Sequence, residues 1–181
     1  GKEQLVADKL CEVVRANNHF LDFGLLGSKS VPAMLTRYGY VEDAMKMITK
    51  TEAPSWGYWV ETMGYTTLPE TWTLSPQFRD ASLNHVFMGD VSAWMMNQLA
   101  GINYDAAGPG FRHILITPHF VEGMDWAKGE YHSVRGLISS QWKREGGKVT
   151  LTVTIPSGCT ADIRVGDKTE TVGSGTYVNT Y

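Results

Sequence analysis

The apolar positions in the first half of the chain recur with a period near 3.6 residues, which is typical of amphipathic helices. This spacing predicts one helix from Glu3 to Arg15 and a second that begins near Ser28 or Ser30 and ends at Tyr38-Gly39. A third helix is predicted from Val41 onward. Because glycine turns separate these segments, the pattern favours antiparallel helical hairpins.

Residues 54–80 interrupt the helical rhythm with Pro, Gly, Thr, Ser and aromatic residues, and they form the longest irregular stretch of the sequence. Long structured loops in compact domains usually carry function. After this loop, the helical period returns, and it predicts a helix from Ser82 to Leu99 that stops at Gly101.

The apolar period changes to two residues after Phe111, which is typical of strands with one buried face. Glycine and proline signals separate the alternating runs. Four or five short strands at this spacing predict an antiparallel β-sandwich. The four clearest runs are 113–117, 136–142, 148–155 and 160–165.

The change of period divides the chain near residues 107–110. We predict an α+β fold, with part of an (α/α) barrel of helical hairpins at 1–108 and an antiparallel β-sandwich at 109–181. The predicted helices do not close a complete helical core. Since Gly1 stands where an initiator Met is expected, we also expect the chain to start at an internal cut, so that the N-terminal part of the same polypeptide is its partner.

Composition limits the classes of partner. Of the 181 residues, 43% are hydrophobic and 19% are charged, which is sufficient for a packed core. A net charge of −3 without any basic run makes nucleic acid and anionic membranes poor partners. The apolar runs are far shorter than the ~20 residues that a membrane-spanning helix needs. Cys11, Cys159 and the histidines fit no metal-ligand spacing, so we expect no cofactor and no metal.

Aromatic residues and carboxylates are interleaved between residues 52 and 90. A pyranose ring has an apolar face that stacks on an aromatic ring and a rim of hydroxyls that need polar partners, so such a mixture suits a sugar site. Packing of these aromatic rings in a core is the alternative. Glycoside hydrolysis needs two carboxyl groups, and composition alone suggests Glu61 and Glu70. The tryptophans of the loop are Trp56, Trp59 and Trp72.

Several ordered motifs closely resemble the bacterial α-L-rhamnosidases of the glycoside hydrolase 78 type, and together they cover nearly the whole chain. In the first half they are FGLLG at 23–27, PSWGYWVE at 54–61, TTLPETW at 66–72 and SLNHVFMG at 82–89. In the second half they are AGI at 100–102, PGF at 109–111, WAKG at 126–129 and GLISSQW at 136–142.

The resemblance implies an (α/α)6 barrel followed by a β-sandwich, an inverting reaction, and a rhamnose-containing oligosaccharide or glycoside as substrate. Glu70 would be the general base that activates water, and His85 would contact the sugar. Trp72, Trp56 and Glu61 are the further candidates for substrate binding. The family's general acid lies upstream of this chain, so the chain would carry half of the catalytic pair. A bacterial periplasmic or secreted location and a cytoplasmic one both remain open.

One position departs from the family pattern. Pro69 stands immediately before the expected base, where the family usually has Trp. Proline fixes φ and removes an N–H, so it can orient Glu70 while it removes a stacking surface.

Two other functions remain open at this stage. The loop and the β-sandwich would form a non-catalytic carbohydrate-binding module in one, and the sandwich would be a purely structural domain in the other. We also expect self-association through the apolar barrel face that the missing hairpins would leave exposed.

Overall fold

The structure is a computed structural model that describes residues 1–72 and 80–181. The portion of the predicted irregular stretch at 73–79 lies outside the described residues. Two compact units are present, Gly1–Trp94 and Met95–Tyr181. The boundary predicted between 1–108 and 109–181 stays a prediction. Within the described residues, no helix combines the length and the apolar character needed to cross a membrane.

The first unit is helical. Its α-helices are α1 (Glu3–Ala16), α2 (Leu25–Arg37), α3 (Val41–Thr49) and α4 (Asp90–Trp94), with a π-helical turn at Tyr58–Thr62. The predictions of α1 and of the start of α3 are confirmed. Helix α2 begins earlier than predicted, because extended Gly24 precedes it and Gly27 continues it as a helical residue. Gly27 allows close packing there, since a Cβ would lie 2.6 Å from the Phe23 side chain.

The predicted helix from Ser82 to Leu99 is wrong over its first half. Residues 82–89 form turns, and regular structure begins only with α4, followed by a π-helical turn at Met95–Leu99. Main-chain groups of this segment form hydrogen bonds with residues 68–70 instead. Ser82 O accepts the Glu70 N–H, and the His85 N–H donates to Leu68 O. These groups are therefore not available to a helical ladder.

The second unit contains eight strands in two four-stranded sheets with the orders β1-β2-β6-β7 and β3-β4-β5-β8. The predicted strands are confirmed as β2, β4, β5 and β6, and the other four were not predicted. The bounds are β1 Ile102–Tyr104, β2 His113–Ile116, β3 Trp126–Ser133, β4 Gly136–Glu145, β5 Lys148–Ile155, β6 Thr160–Val165, β7 Lys168–Val172 and β8 Gly175–Thr180.

The predicted α+β fold with helices followed by a β-sandwich is confirmed, and the first sheet adds one parallel pair to its antiparallel ones. Strands β2 and β6 pair in parallel, with His113 opposite Thr160 and Ile116 opposite Ile163. Parallel neighbours need a long crossover, and the chain between them forms β3, β4 and β5 of the other sheet. Inward-facing residues from both sheets are buried, among them Ile114, Ile138 and Leu151.

Candidate active site

The two segments on either side of residues 73–79 are joined main chain to main chain. The Glu70 N–H donates to Ser82 O over 2.8 Å, and the His85 N–H donates to Leu68 O over 2.8 Å. A third bond runs from Thr67 Oγ1 to the carbonyl of Leu83 at 2.7 Å. We call residues 67–70 and 82–85 together the brace. It brings two of the predicted site residues, Glu70 and His85, onto one hydrogen-bonded pair of segments.

Glu70 is half-buried, and both its main chain and its side chain are held by Ser82. Besides the main-chain bond, the Ser82 N–H donates to Glu70 Oε2 at 3.0 Å. A carboxylate that accepts a backbone N–H is fixed in direction and stays a good acceptor on its second oxygen. Pro69 is buried next to it, so its ring belongs to the packed loop and offers no exposed stacking surface.

His85 is half-buried, and its ring lies edge-on to that of Phe87, with the centroids 5.4 Å apart. Its Nδ1 accepts the Phe87 N–H at 3.3 Å. Because Nδ1 is the acceptor, the neutral ring carries its proton on Nε2. That nitrogen is therefore able to donate a hydrogen bond to a ligand hydroxyl.

Trp72 lies in a cluster of aromatic rings. It stacks on Trp59 with centroids 4.5 Å apart and an interplanar angle of 25°, and Trp56 meets it edge-on at 5.2 Å. Its indole N–H donates to the carbonyl of Phe23 over 2.5 Å, and the Phe23 ring also meets it edge-on. Trp72 is half-buried. Its ring contacts and its hydrogen bond to Phe23 anchor the loop just after Glu70.

The two remaining predicted site residues differ sharply in exposure. Trp56 is only 3% exposed, and its indole N–H donates to Met88 O at 3.0 Å. It is thus a core ring beneath Trp72. Glu61 is exposed on the π-helical turn that also carries Trp59.

An ionic cluster around buried Asp43 in the helical unit was not predicted from the sequence. Arg15 donates from Nε and Nη2 to the two carboxylate oxygens of Asp43, at 2.9 and 2.8 Å, and His19 Nε2 lies 2.8 Å from Asp43 Oδ1. The hydrogen bonds from Arg15 hold the pKa of Asp43 well below its usual range. Burial, with the nearby Asp43 charge, raises the pKa of the Cys11 thiol.

This cluster ties the end of α1 to α3, and we assign it a structural role. Its residues come from segments far apart in sequence, so no local motif marks it. In the described ranges 1–72 and 80–181, no group of three or more His, Cys, Asp or Glu side chains is placed to hold a metal ion.

Comparison with known protein families gives two matches that together span almost the whole chain. Residues 2–99 match the bacterial alpha-L-rhamnosidase 6 hairpin glycosidase domain. Residues 101–178 match the bacterial alpha-L-rhamnosidase C-terminal domain.

Individual relatives are much longer than this chain. An alpha-L-rhamnosidase of Streptomyces avermitilis is 31% identical over 163 residues, which is 87% of this chain and 16% of that protein. One from Formosa agariphila is 26% identical over 84% of this chain and 16% of its own length.

Solved structures agree with these sequence matches. The crystal structure of the Streptomyces avermitilis alpha-L-rhamnosidase complexed with L-rhamnose has a TM-score of 0.88 at 27% identity, covering 98% of this chain and 20% of that one. The native enzyme from Aspergillus terreus has a TM-score of 0.90 at 26% identity, covering 98% and 21%. The chain belongs to the bacterial α-L-rhamnosidase family, and its two parts match the glycosidase domain and the C-terminal domain of that family.

Proposed function

We propose that this chain is the C-terminal part of an inverting glycoside hydrolase that removes terminal α-L-rhamnose, and that Glu70 is its general base. The observation that supports this most is the way the brace holds Glu70. One carboxylate oxygen accepts the Ser82 N–H, which orients the group and leaves the second oxygen to accept a proton from water.

The proposed reaction divides the work between two carboxyl groups. Glu70 takes a proton from a water molecule as the water oxygen attacks the anomeric carbon. A general acid protonates the departing glycosidic oxygen on the other face of the sugar. Inverting enzymes keep these groups roughly 6.5–9.5 Å apart so that the water fits between them.

The general acid would come from the rest of the longer polypeptide. The chain spans 16% of the length of the Streptomyces avermitilis relative, so most of such a protein lies outside it. In this proposal the N-terminal part of the polypeptide is the partner that supplies the acid and the remaining walls of the sugar site. In this proposal the β-sandwich takes no part in the hydrolysis itself.

Substrate contacts are assigned by chemistry and exposure. His85 would donate from Nε2 to a rhamnose hydroxyl, since its Nδ1 is already used by the Phe87 N–H. Trp72 is the half-buried ring that a sugar can approach, whereas Trp56 would act by supporting it from beneath. Glu61, which is exposed, would bind substrate or orient its neighbours.

The test is hydrolysis of a panel of aryl glycosides by the longer protein that contains this chain. We expect cleavage of aryl α-L-rhamnosides, with β-L-rhamnose as the first sugar anomer observed by proton NMR. Release of α-L-rhamnose first would refute inversion. Binding of rhamnosides without any cleavage would refute the hydrolase and favour the carbohydrate-binding module.

A further inference from the structure

The outer face of the sheet β3-β4-β5-β8 presents an exposed tryptophan beside polar side chains. Trp126 at the start of β3 is 64% exposed. The strand register places Lys143 opposite Trp126, Thr150 opposite Lys143, and Thr180 opposite Thr150. One row across four strands therefore combines an aromatic ring with an ammonium group and two hydroxyls.

The next row on the same face is polar on three strands and ends at exposed Val178 on β8. Lys128 lies opposite Gln141, which lies opposite Thr152. Side chains two residues apart on a strand share a face, so the two rows form one surface. A depression of about 370 Å³ extends over both rows, and Trp126 and Lys143 contribute to its lining.

The inner face of β3 is packed, so Trp126 points away from the core of its unit. Ala127 is 8% exposed, and a Cβ at Gly129 would lie 2.6 Å from Ala100 Cβ and Met96 Sδ. Alternation along the strand then puts Trp126 and Lys128 outside. A large aromatic side chain at such a position is a common feature of binding surfaces.

The charges on this face nearly cancel. Lys128 pairs with Glu130 at 2.8 Å, Lys143 pairs with Glu145 at 2.5 Å, and exposed Lys148 lies opposite Glu145 on the same face. Three ammonium groups and two carboxylates leave one net positive charge, which is a weak field for attracting an anionic polymer. They still supply hydrogen-bond donors and acceptors of the kind that sugar hydroxyls use.

We propose that this surface, the Trp126 face, binds a neutral rhamnose-containing oligosaccharide with one pyranose ring stacked on Trp126. The apolar side of the ring matches the indole, and its hydroxyls meet Lys128, Gln141, Lys143 and Thr152. The Trp126 face lies in the second unit, here called the β unit, whereas the brace belongs to the helical first unit, so the proposal goes beyond the proposed hydrolytic site. It rests on the proposed function only for the choice of sugar.

Nuclear magnetic resonance titration of the 181-residue chain with a neutral α-linked rhamno-oligosaccharide tests this. We expect saturable shifts of the Trp126 indole N–H and of the Gln141 and Thr152 amides. Loss of the stacked ring in Trp126→Ala should weaken the affinity by about tenfold. Tyr104→Ala is the matched control, because Tyr104 is 67% exposed on β1 of the other sheet, and it should leave the affinity unchanged.

Three results would overturn the proposal: no saturable shift at Trp126, unchanged affinity in Trp126→Ala, or larger shifts of the same resonances with an acidic oligogalacturonide. Should Trp126→Ala lose its native amide spectrum, Trp126→Phe takes its place, and the smaller ring should give an affinity below that of wild type. The readout is binding, so failure of the proposed hydrolysis would leave it unaffected.

Discussion

Replacing Asp43 with asparagine should destabilise the helical unit. Asparagine keeps the size of the side chain but removes its charge. In the structure, Asp43 is only 5% exposed. Its carboxylate accepts two hydrogen bonds from Arg15, and His19 Nε2 lies 2.8 Å from Oδ1. The change therefore weakens three contacts that join α1 and the following turn to α3.

The expected loss is about 2 kcal/mol in the free energy of unfolding. Hydrogen bonds to charged groups contribute roughly 1.5–3 kcal/mol each. The Arg15 side chain is 58% exposed, so water solvates it once the carboxylate is gone, and the sum of three bonds must be discounted strongly. Asparagine also keeps one oxygen that accepts a hydrogen bond.

Urea denaturation followed by far-ultraviolet circular dichroism measures this loss. Glu12→Gln is the matched control on the same helix, because the Lys9–Glu12 pair is exposed at both side chains. Removing that pair should change the stability by less than about 0.5 kcal/mol. The same result for Asp43→Asn would refute the assigned structural role.

The pH dependence gives an independent check. The folded-state pKa of Asp43 is lowered by the Arg15 hydrogen bonds, so the unfolded chain takes up the proton first as the pH falls. The stability that the carboxylate contributes is therefore fully present above its ordinary pKa of about 3.9 and is lost progressively below it. The difference between wild type and Asp43→Asn should be larger at pH 7 than at pH 3. A larger difference at pH 3 would contradict this.

Three further predictions concern activity, self-association and stability. Under the proposed function, the 181-residue chain alone should not hydrolyse an aryl α-L-rhamnoside, because the general acid would lie in the rest of the longer polypeptide, and measurable turnover by the folded chain would contradict this. Exposed Leu5, Val6 and Val13 on α1 should promote self-association, and light scattering should show less of it in Val6→Glu than in wild type. Gly101→Ala should destabilise the β unit by more than about 2 kcal/mol, because φ is +80° and a Cβ would lie 2.3 Å from Pro118 N; urea denaturation checks this.

Local patterns predicted the elements whose burial is regular. Helix α1 and strands β5 and β6 have the expected periods and the expected bounds within one residue. The unpredicted strands lack this pattern. In β7 only Val172 is buried, and in β3 one inward position is Gly129, which needs no side chain because Ala100 and Met96 fill the space.

Long-range pairing explains what the sequence could not predict. The turns at 82–89 have a helix-like apolar pattern, but their main chain forms hydrogen bonds with residues 68–70. The spacing of apolar residues within one segment cannot predict such a pairing between two segments. Likewise, the exposure of Trp126 depends on the register of β3 against β4. Glu70 and His85 were predicted as neighbours in function by the family resemblance, and the brace is the contact that joins them in space.

The rate of the longer protein with Glu70→Gln is the most direct test of the central claim. The substitution keeps the shape of the side chain and its acceptor for the Ser82 N–H but removes the group that takes the proton. General-base catalysis is typically worth about 10²–10⁴-fold, so kcat for an aryl α-L-rhamnoside should fall by about that factor while KM changes little. Glu61→Gln should cost less. Near-normal kcat in Glu70→Gln together with loss of activity in Glu61→Gln would contradict the assignment of Glu70 as the base.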